Sequence, residues 1–546
     1  MSRFFRSLVL GLAATIVALP AFAAHGPQVN APAGSLEGRD DGGARVFEGI
    51  PYAAPPVGPL RWKAPAPAAP WTGVKVADKF GPACYQPQST VVSIYTNATG
   101  PMSEDCLSLN IWTPKTANKA PVLVWIHGGA LWGGRSSETI YDGAKLAARG
   151  IILVSINYRL GVLGWLAHPE LSAESPNNVS GNYGLLDQIA ALQWVKRNIG
   201  AFGGDPDNVT IAGESAGGLS VMYLMAAPDA RGLFAKAIAQ SAYMVSTPAL
   251  RGTAYGWPSA EDGGIRLAAQ AQAKDIAALR AMDPAKITGV AAATGFVPFG
   301  AVDGKVLPRQ LVEVFDSGEQ AHVPILAGFN AGEIRSLRIL APPVPASAEV
   351  YETSIRAHYL DLADAFLKLY PSSNLSESVL ATTRDALYGW TAERLARRQA
   401  AIGVPSYLYL FDHPYTAADS AGLHAFHGSE LPFMFGTTDR TSQYWPKIPQ
   451  TQEEQAFSDD MLDYWASFAR TGRPQAAHAP DWPAYGTSRA FMHFADVPKP
   501  EEGLMPGMYD LNEAVMCRRH AAGTQPWNWN VGLAAPVLPP ATASCH

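Results

Sequence analysis

The sequence offers little that would tie it to a metal, a nucleic acid or a membrane. Only four cysteines occur in 546 residues. No C-x-x-C pair and no Cys/His grouping has zinc-site spacing, so neither a metal nor another cofactor is expected. Charged residues make up 16% and the net charge is −6, spread thinly with no basic stripe, which argues against a nucleic-acid partner. Beyond Ala23 no apolar run reaches the roughly 18 residues that span a bilayer. A Ser/Gly-rich linker, a block of like charge and an internal repeat are all absent too, so the pattern gives no place to cut the chain.

What is present points to one large folded unit. With 48% hydrophobic residues the chain can bury a sizeable core. We read residues 24–546 as a single catalytic domain with long insertions, and residues 1–23 as a signal peptide. Arg3 and Arg6 precede the apolar run Leu8 to Leu19, and Ala21-Phe-Ala23 has the small-x-small form of a cleavage site. The expectation is a secreted or periplasmic protein with no membrane span in its mature chain. Export permits disulfides. Three pairings of the cysteines are possible, and proximity favours Cys84 with Cys106 and Cys517 with Cys545. Nothing in the pattern specifies an oligomeric state.

The most informative stretch is Asn208 to Gly218. Val209 to Ala212 reads as a buried strand and Leu219 to Ala227 as a helix, with Gly213-Glu-Ser-Ala-Gly217 between them. Glycines two before and two after Ser215 let strand and helix pass closely around a sharp turn, which exposes the serine hydroxyl as a nucleophile. Further strands are expected at Ala120 to Ile126, Ile151 to Ile156, Ala235 to Ala239, Pro324 to Gly328 and Ser406 to Phe411. Helices are expected at Gly184 to Asn198 and Gln452 to Arg470. Strands alternating with helices predict an α/β fold, a large mostly parallel sheet covered on both faces. The intervals near 250–320 and 340–400 are helical or irregular and are expected to roof the site.

A serine hydroxyl needs a base to take its proton and a third group to orient that base. His427, late in the chain on a loop after the strand at 406–411, is the chosen base, with His424 as the competitor, while His413 and the rest read as surface or hydrogen-bonded histidines. Glu333, just past a buried strand, is the chosen acid, with Asp303 and Asp412 as alternatives. The loop His127-Gly-Gly-Ala130 follows another strand, and its Gly129 and Ala130 amides, with that of Ala216, are candidate donors to an oxyanion. Ala130 fits that role if its φ is negative. Trp132, Tyr243, Trp390 and Trp445 are candidate pocket-lining aromatics.

These stretches, in this order, resemble the type-B carboxylesterase and cholinesterase-like family of α/β hydrolases. The resemblance rests on Gly49-Ile-Pro-Tyr-Ala53, Glu104-Asp-Cys-Leu-Ser-Leu-Asn110, Trp125-Ile-His-Gly-Gly-Ala130 and Asn157-Tyr-Arg-Leu-Gly161. It continues through Phe202-Gly-Gly-Asp-Pro206, Gly213-Glu-Ser-Ala-Gly217, Gly328-Phe-Asn-Ala-Gly-Glu333 and His427-Gly-Ser-Glu-Leu-Pro432. It implies a Ser215, Glu333, His427 triad, an oxyanion hole at Gly129, Ala130 and Ala216, a Cys84–Cys106 disulfide, and supporting roles for Ser241 and Glu214. Where cholinesterases carry a choline-binding tryptophan this chain has Thr96, so choline esters are not expected. The implied activity is hydrolysis of a small-molecule carboxylic ester through an acyl-enzyme. An amidase or lipase would use the same parts. A non-catalytic adhesion or binding protein on the same fold is the alternative from another class.

Overall fold

A computed structural model of the protein describes residues 26–88, 91–528, 530–543 and 545. The signal peptide expected at residues 1–23 lies outside the described residues. At the centre is an eleven-stranded sheet. Its strands in chain order are β1 (Arg39–Asp41), β2 (Ala44–Pro51), β3 (Ser108–Pro114), β4 (Ala120–Ile126), β5 (Ile152–Ile156) and β6 (Gly204–Glu214). They continue with β7 (Lys236–Gln240), β8 (Ile325–Asn330), β9 (Ser406–Phe411), β10 (Ala490–Phe494) and β11 (Pro498–Glu502). Across the sheet the order is β1-β2-β3-β5-β4-β6-β7-β8-β9-β10-β11. From β5 to β10 every neighbouring pair is parallel. Antiparallel pairing is confined to the flanks, at β1 to β3 with β5 and at β11.

The inner strands β4, β5, β7, β8 and β9 are buried at every position and largely apolar because both faces are covered. In β4, Val122, Val124 and Ile126 enter one core and Leu123 and Trp125 the other. The same alternation sends Ala237 and Ala239 of β7 one way and Ile238 the other. On the first face lie α1 (Tyr183–Asn198), α2 (Ala216–Ala226) and α3 (Trp390–Ala401), which contribute Leu185, Ile189, Leu219, Met222, Trp390 and Leu395. On the second lies α4 (Gln452–Thr471), which buries Phe457, Met461, Trp465 and Phe468 along one stripe. Thr451 caps α4 by accepting from the Glu454 N–H.

The sequence-expected strands and helices all form, within two residues at the ends except at α2, which begins three residues early at Ala216, and at β6, which begins at Gly204 and runs through the Asp-Pro-Asp segment. The flanking strands β2, β3, β10 and β11 were not foreseen. The intervals near 250–320 and 340–400 form short helices, among them Ala260–Gln270, Pro284–Ala293 and Ala348–Tyr359. Disulfides join Cys84 to Cys106 and Cys517 to Cys545. Among the described residues no helix is long and apolar enough to cross a membrane.

Candidate active site

Parallel strands put all their carboxyl ends on one edge, and the residues singled out by sequence lie in loops leaving that edge. β6 ends at Glu214, and Ser215 follows with φ 57° and ψ −121°, a conformation that costs on the order of 1–3 kcal/mol for a non-glycine residue. Neighbours on both sides hold it there. The Ser215 N–H donates to the Gln240 carbonyl at 2.9 Å, and its own carbonyl accepts from Leu219 N–H at 2.9 Å. A Cβ on Gly213 would lie 2.5 Å from the Gly217 carbonyl carbon, and one on Gly217 would overlap the Ile126 carbonyl oxygen. Both glycines are therefore required by the close passage of β6 and α2. Ser215 itself is 9% exposed.

The loop after β4 is equally fixed. His127 stacks on Tyr158 with ring centroids 4.6 Å apart, its carbonyl accepts from the Tyr158 hydroxyl at 2.8 Å, and its Nδ1 lies 2.8 Å from the Gly128 carbonyl. Burial pushes this imidazole down to about 4, so it is neutral. Gly129 (φ 103°), Ala130 (φ 55°) and Leu131 (φ 59°) follow in left-handed geometry. The condition set for Ala130, a negative φ, is not met. The turn is pinned by the Trp132 and Gly133 amides donating to the Gly129 carbonyl, each at 2.9 Å, and the intervening residues must reverse within it. Gly129 and Ala130 are exposed, and their N–H groups have no acceptor among the described residues. As the first residue of α2, Ala216 also has an N–H without an intrahelical partner.

β8 ends at Asn330, which organises the far side. Its N–H donates to Glu333 Oε1 at 2.9 Å, while its side-chain amide donates to the Phe426 carbonyl at 2.8 Å and to Glu430 Oε2 at 2.6 Å. The Gly332 N–H donates to the Ala425 carbonyl at 2.8 Å, so the loops after β8 and β9 are stitched together. Through that seam Glu333 Oε2 meets His427 Nδ1 in a short hydrogen bond. His427 Nε2 lies 3.0 Å from Oε1 of Glu214, the residue before Ser215. That contact lacks hydrogen-bond alignment, and among the described residues no hydrogen bond joins Ser215 Oγ to His427.

Three buried carboxylates therefore surround one imidazole. Burial alone would lower His427, but the charges of Glu214, Glu333 and Glu430 outweigh it and hold the group up at about 9. Burial, reinforced by its carboxylate neighbours, pushes Glu214 up to about 8, and burial pushes Glu430 up to about 7. Crowding like charges out of water makes at least one carboxyl keep its proton near neutrality. Glu430 is further held by the Gln240 amide at 3.0 Å, and Gln240 in turn accepts from Trp465 Nε1 at 3.0 Å. Ser241 follows β7 with φ 42°, fully buried, and its hydroxyl has no hydrogen-bond partner among the described residues.

The competing candidates are engaged elsewhere. His424 bridges Asp412 and Asp419, His413 pairs with Glu454, and Asp303 accepts from Asn182 and from the amides of residues 305–307. Of the proposed lining aromatics, Trp390 is a core residue packed on Trp527 and bonded to Glu513. Trp132 packs edge-on against Phe296, Trp445 lies against Phe426, and Tyr243 meets Tyr388, whose ring lies 5.3 Å from that of His427. Asn330, Glu430, Tyr388 and Tyr95 were missed by sequence reasoning. Of these Glu430 and Asn330 had a signal, Glu430 three residues after His427 and Asn330 three before Glu333, each within a quoted motif.

The chain matches the family model described as "Carboxylesterase family" over residues 25–502. It is 36% identical to a fumonisin B1 esterase of Sphingopyxis macrogoltabida, covering 86% of this chain and 87% of that one. It is 38% identical to a para-nitrobenzyl esterase of Bacillus subtilis (strain 168), covering 83% and 91%. Among solved structures, a PNB esterase superposes with a TM-score of 0.76 at 33% identity, covering 89% of this chain and 99% of that one.

Proposed function

The chain belongs to the carboxylesterase family, and on that premise we propose that it hydrolyses small-molecule carboxylic esters through an acyl-enzyme on Ser215, with His427 as base and Glu333 as its orienting acid. The observation that carries this reading is the hydrogen bond from His427 Nδ1 to the wholly buried Glu333. With Nδ1 committed to the acid, Nε2 is the nitrogen left to receive the Ser215 proton.

In this mechanism Ser215 Oγ gives its proton to Nε2 as it attacks the ester carbonyl carbon. The carbonyl π pair moves onto oxygen, where the N–H groups of Gly129, Ala130 and Ala216 stabilise it. Collapse expels the alcohol, which takes the proton from the imidazolium. Water, deprotonated by the same nitrogen, then attacks the acyl carbon and releases the acid. Glu333 neutralises the imidazolium that forms twice in the cycle. Ser241 and Glu214 support the site as neighbours of the nucleophile.

Two further features support an exported protein, secreted or periplasmic: the leader pattern at residues 1–23 and the two disulfides. The test of the catalytic reading pairs wild type with Ser215→Ala on p-nitrophenyl acetate, alongside a fluorophosphonate probe mapped by peptide mass. Wild type should hydrolyse the ester and carry the label on Ser215, and the alanine variant should lose at least about a thousandfold in kcat. An alanine variant that hydrolyses the ester unimpaired would overturn the assignment.

A further inference from the structure

The Cys84–Cys106 disulfide closes a segment whose residue Tyr95 reaches the site. Near its middle Tyr95 points its hydroxyl inward. The phenol donates to the His427 carbonyl at 2.8 Å and lies 2.7 Å from Ser336 Oγ, three residues past Glu333. One oxygen thus touches the loops bearing both the base and the acid. The ring packs edge-on against Trp445 with centroids 6.0 Å apart, and Trp445 packs on Phe426, the residue before His427, at 4.8 Å. The Ser442 hydroxyl fastens the same segment by donating to the Ile94 carbonyl at 2.6 Å.

The peptide before the imidazole is held at the Phe426 carbonyl by Asn330 Nδ2 at 2.8 Å and the Ser429 N–H at 3.0 Å, and the phenol holds the peptide after it. Gly428 follows it with φ 76°, so the next residue brings no side chain to brace the peptide. A donor on the His427 carbonyl therefore fixes the plane from which the ring projects. Although 38% of Tyr95 is exposed, its hydroxyl is enclosed. Burial, together with the charges of Glu214, Glu333 and Glu430, raises it far above the ordinary phenol range, so it remains a proton donor at any working pH.

We infer that Tyr95 is a positioning residue for the catalytic base: it clamps the disulfide-closed segment onto the His427 and Glu333 loops and thereby aims Nε2. The inference rests on the triad reading above. It differs from a substrate-binding role, which would act through KM, and from a purely structural one, which would act through stability.

The test uses the full chain with Tyr95→Phe, which keeps the ring packing and deletes one oxygen, and Ser336→Ala, which removes the phenol's other partner. We expect Tyr95→Phe to lower kcat for p-nitrophenyl acetate and the rate of fluorophosphonate labelling together by about five- to tenfold, the equivalent of one ordinary hydrogen bond. KM should stay within about twofold and Tm within a few degrees. Ser336→Ala should move the same two rates by a smaller factor. Wild-type kcat and labelling rate in Tyr95→Phe, or a change in KM alone, would overturn the inference. Failure of the triad reading is read separately, as a wild type that takes no label on Ser215.

Discussion

Replacing Glu214 by glutamine tests the electrostatics of the site most directly. In the proposed cycle His427 must be neutral to accept the Ser215 proton, so activity rises with pH as the imidazolium loses its proton. Because surrounding carboxylates hold that group at about 9, the wild-type enzyme should be most active at alkaline pH, with the acid limb of kcat/KM well above the usual histidine range. Glu214 Oε1 lies 3.0 Å from Nε2. At that distance a unit charge contributes from roughly 1.4 kcal/mol in a water-like medium to roughly 5.5 kcal/mol at an effective dielectric of about 20, or about 1 to 4 pH units. Glu214, itself pushed up to about 8, is mostly ionised at the pH of that limb, so the lower end is the minimum. The two groups exchange protons, and the limb reports the pair rather than either residue. Glu214→Gln should therefore move the acid limb down by at least about one unit while leaving the plateau rate within a few-fold. The sign follows from removing a group that favours the charged imidazole. The assay is kcat/KM for p-nitrophenyl acetate from pH 5.5 to 10, corrected for spontaneous hydrolysis. A limb that stays within 0.3 units (about the resolution of such fits, and far below the coulombic effect) or that moves upward would refute the reasoning.

Two further substitutions test the scaffold. Gly129→Ala places a Cβ where φ is 103° and where it would overlap the Gly133 carbonyl oxygen, so kcat/KM should fall by at least about a hundredfold as an oxyanion donor is displaced. Ala130→Gly, at φ 55°, should stay within about twofold, and comparable losses in both would discount the loop geometry. Arg159→Met strips the partner from Asp187, which is fully buried and bonded at 3.0 Å by the Arg159 N–H, at 2.7 Å by Nε and at 2.7 Å by Nη2. It should lower stability by about 3–5 kcal/mol, read as a fall in the urea midpoint, and a loss under about 1 kcal/mol would contradict the value placed on this buried pair.

What was legible in the sequence was local. β4, β5, β7, β8 and β9 announced themselves because burial on both faces leaves an unbroken apolar run, and the turn at Ser215 because its glycines stand at fixed spacing. The flanking strands were less visible for the same reason reversed. β11, Pro498–Glu502, is an exposed edge carrying Lys499, Glu501 and Glu502, and its pattern is that of a polar loop. β3 carries Ser108, Asn110 and Thr113 amid its apolar residues; Asn110 finds partners in Ser136 and Ser155, and Thr113 in the Phe202 carbonyl, all far along the chain. The positive φ of Ala130 was not legible because it is dictated by hydrogen bonds closing the loop around it, not by the residue's own preference.

The contacts that tune the site are all long-range, and this explains which residues sequence reasoning missed. Ser215, Glu333 and His427, the proposed nucleophile, acid and base, lie far apart in the chain yet share one edge of the sheet because each follows the carboxyl end of a parallel strand, β6, β8 or β9. Topology alone brings such residues to the same edge. It does not set their distances. That last adjustment falls to groups with no motif of their own: Asn330 tying two loops together, Gln240 holding Glu430, and Tyr95 holding the His427 carbonyl across more than three hundred residues of chain. A nucleophile with a strained φ and a base ringed by three carboxylates need such bracing more than a relaxed site does, because each unbraced strain would relax by moving the loop. The residues of greatest mechanistic interest beyond the triad are accordingly those whose hydrogen bonds cross between loops.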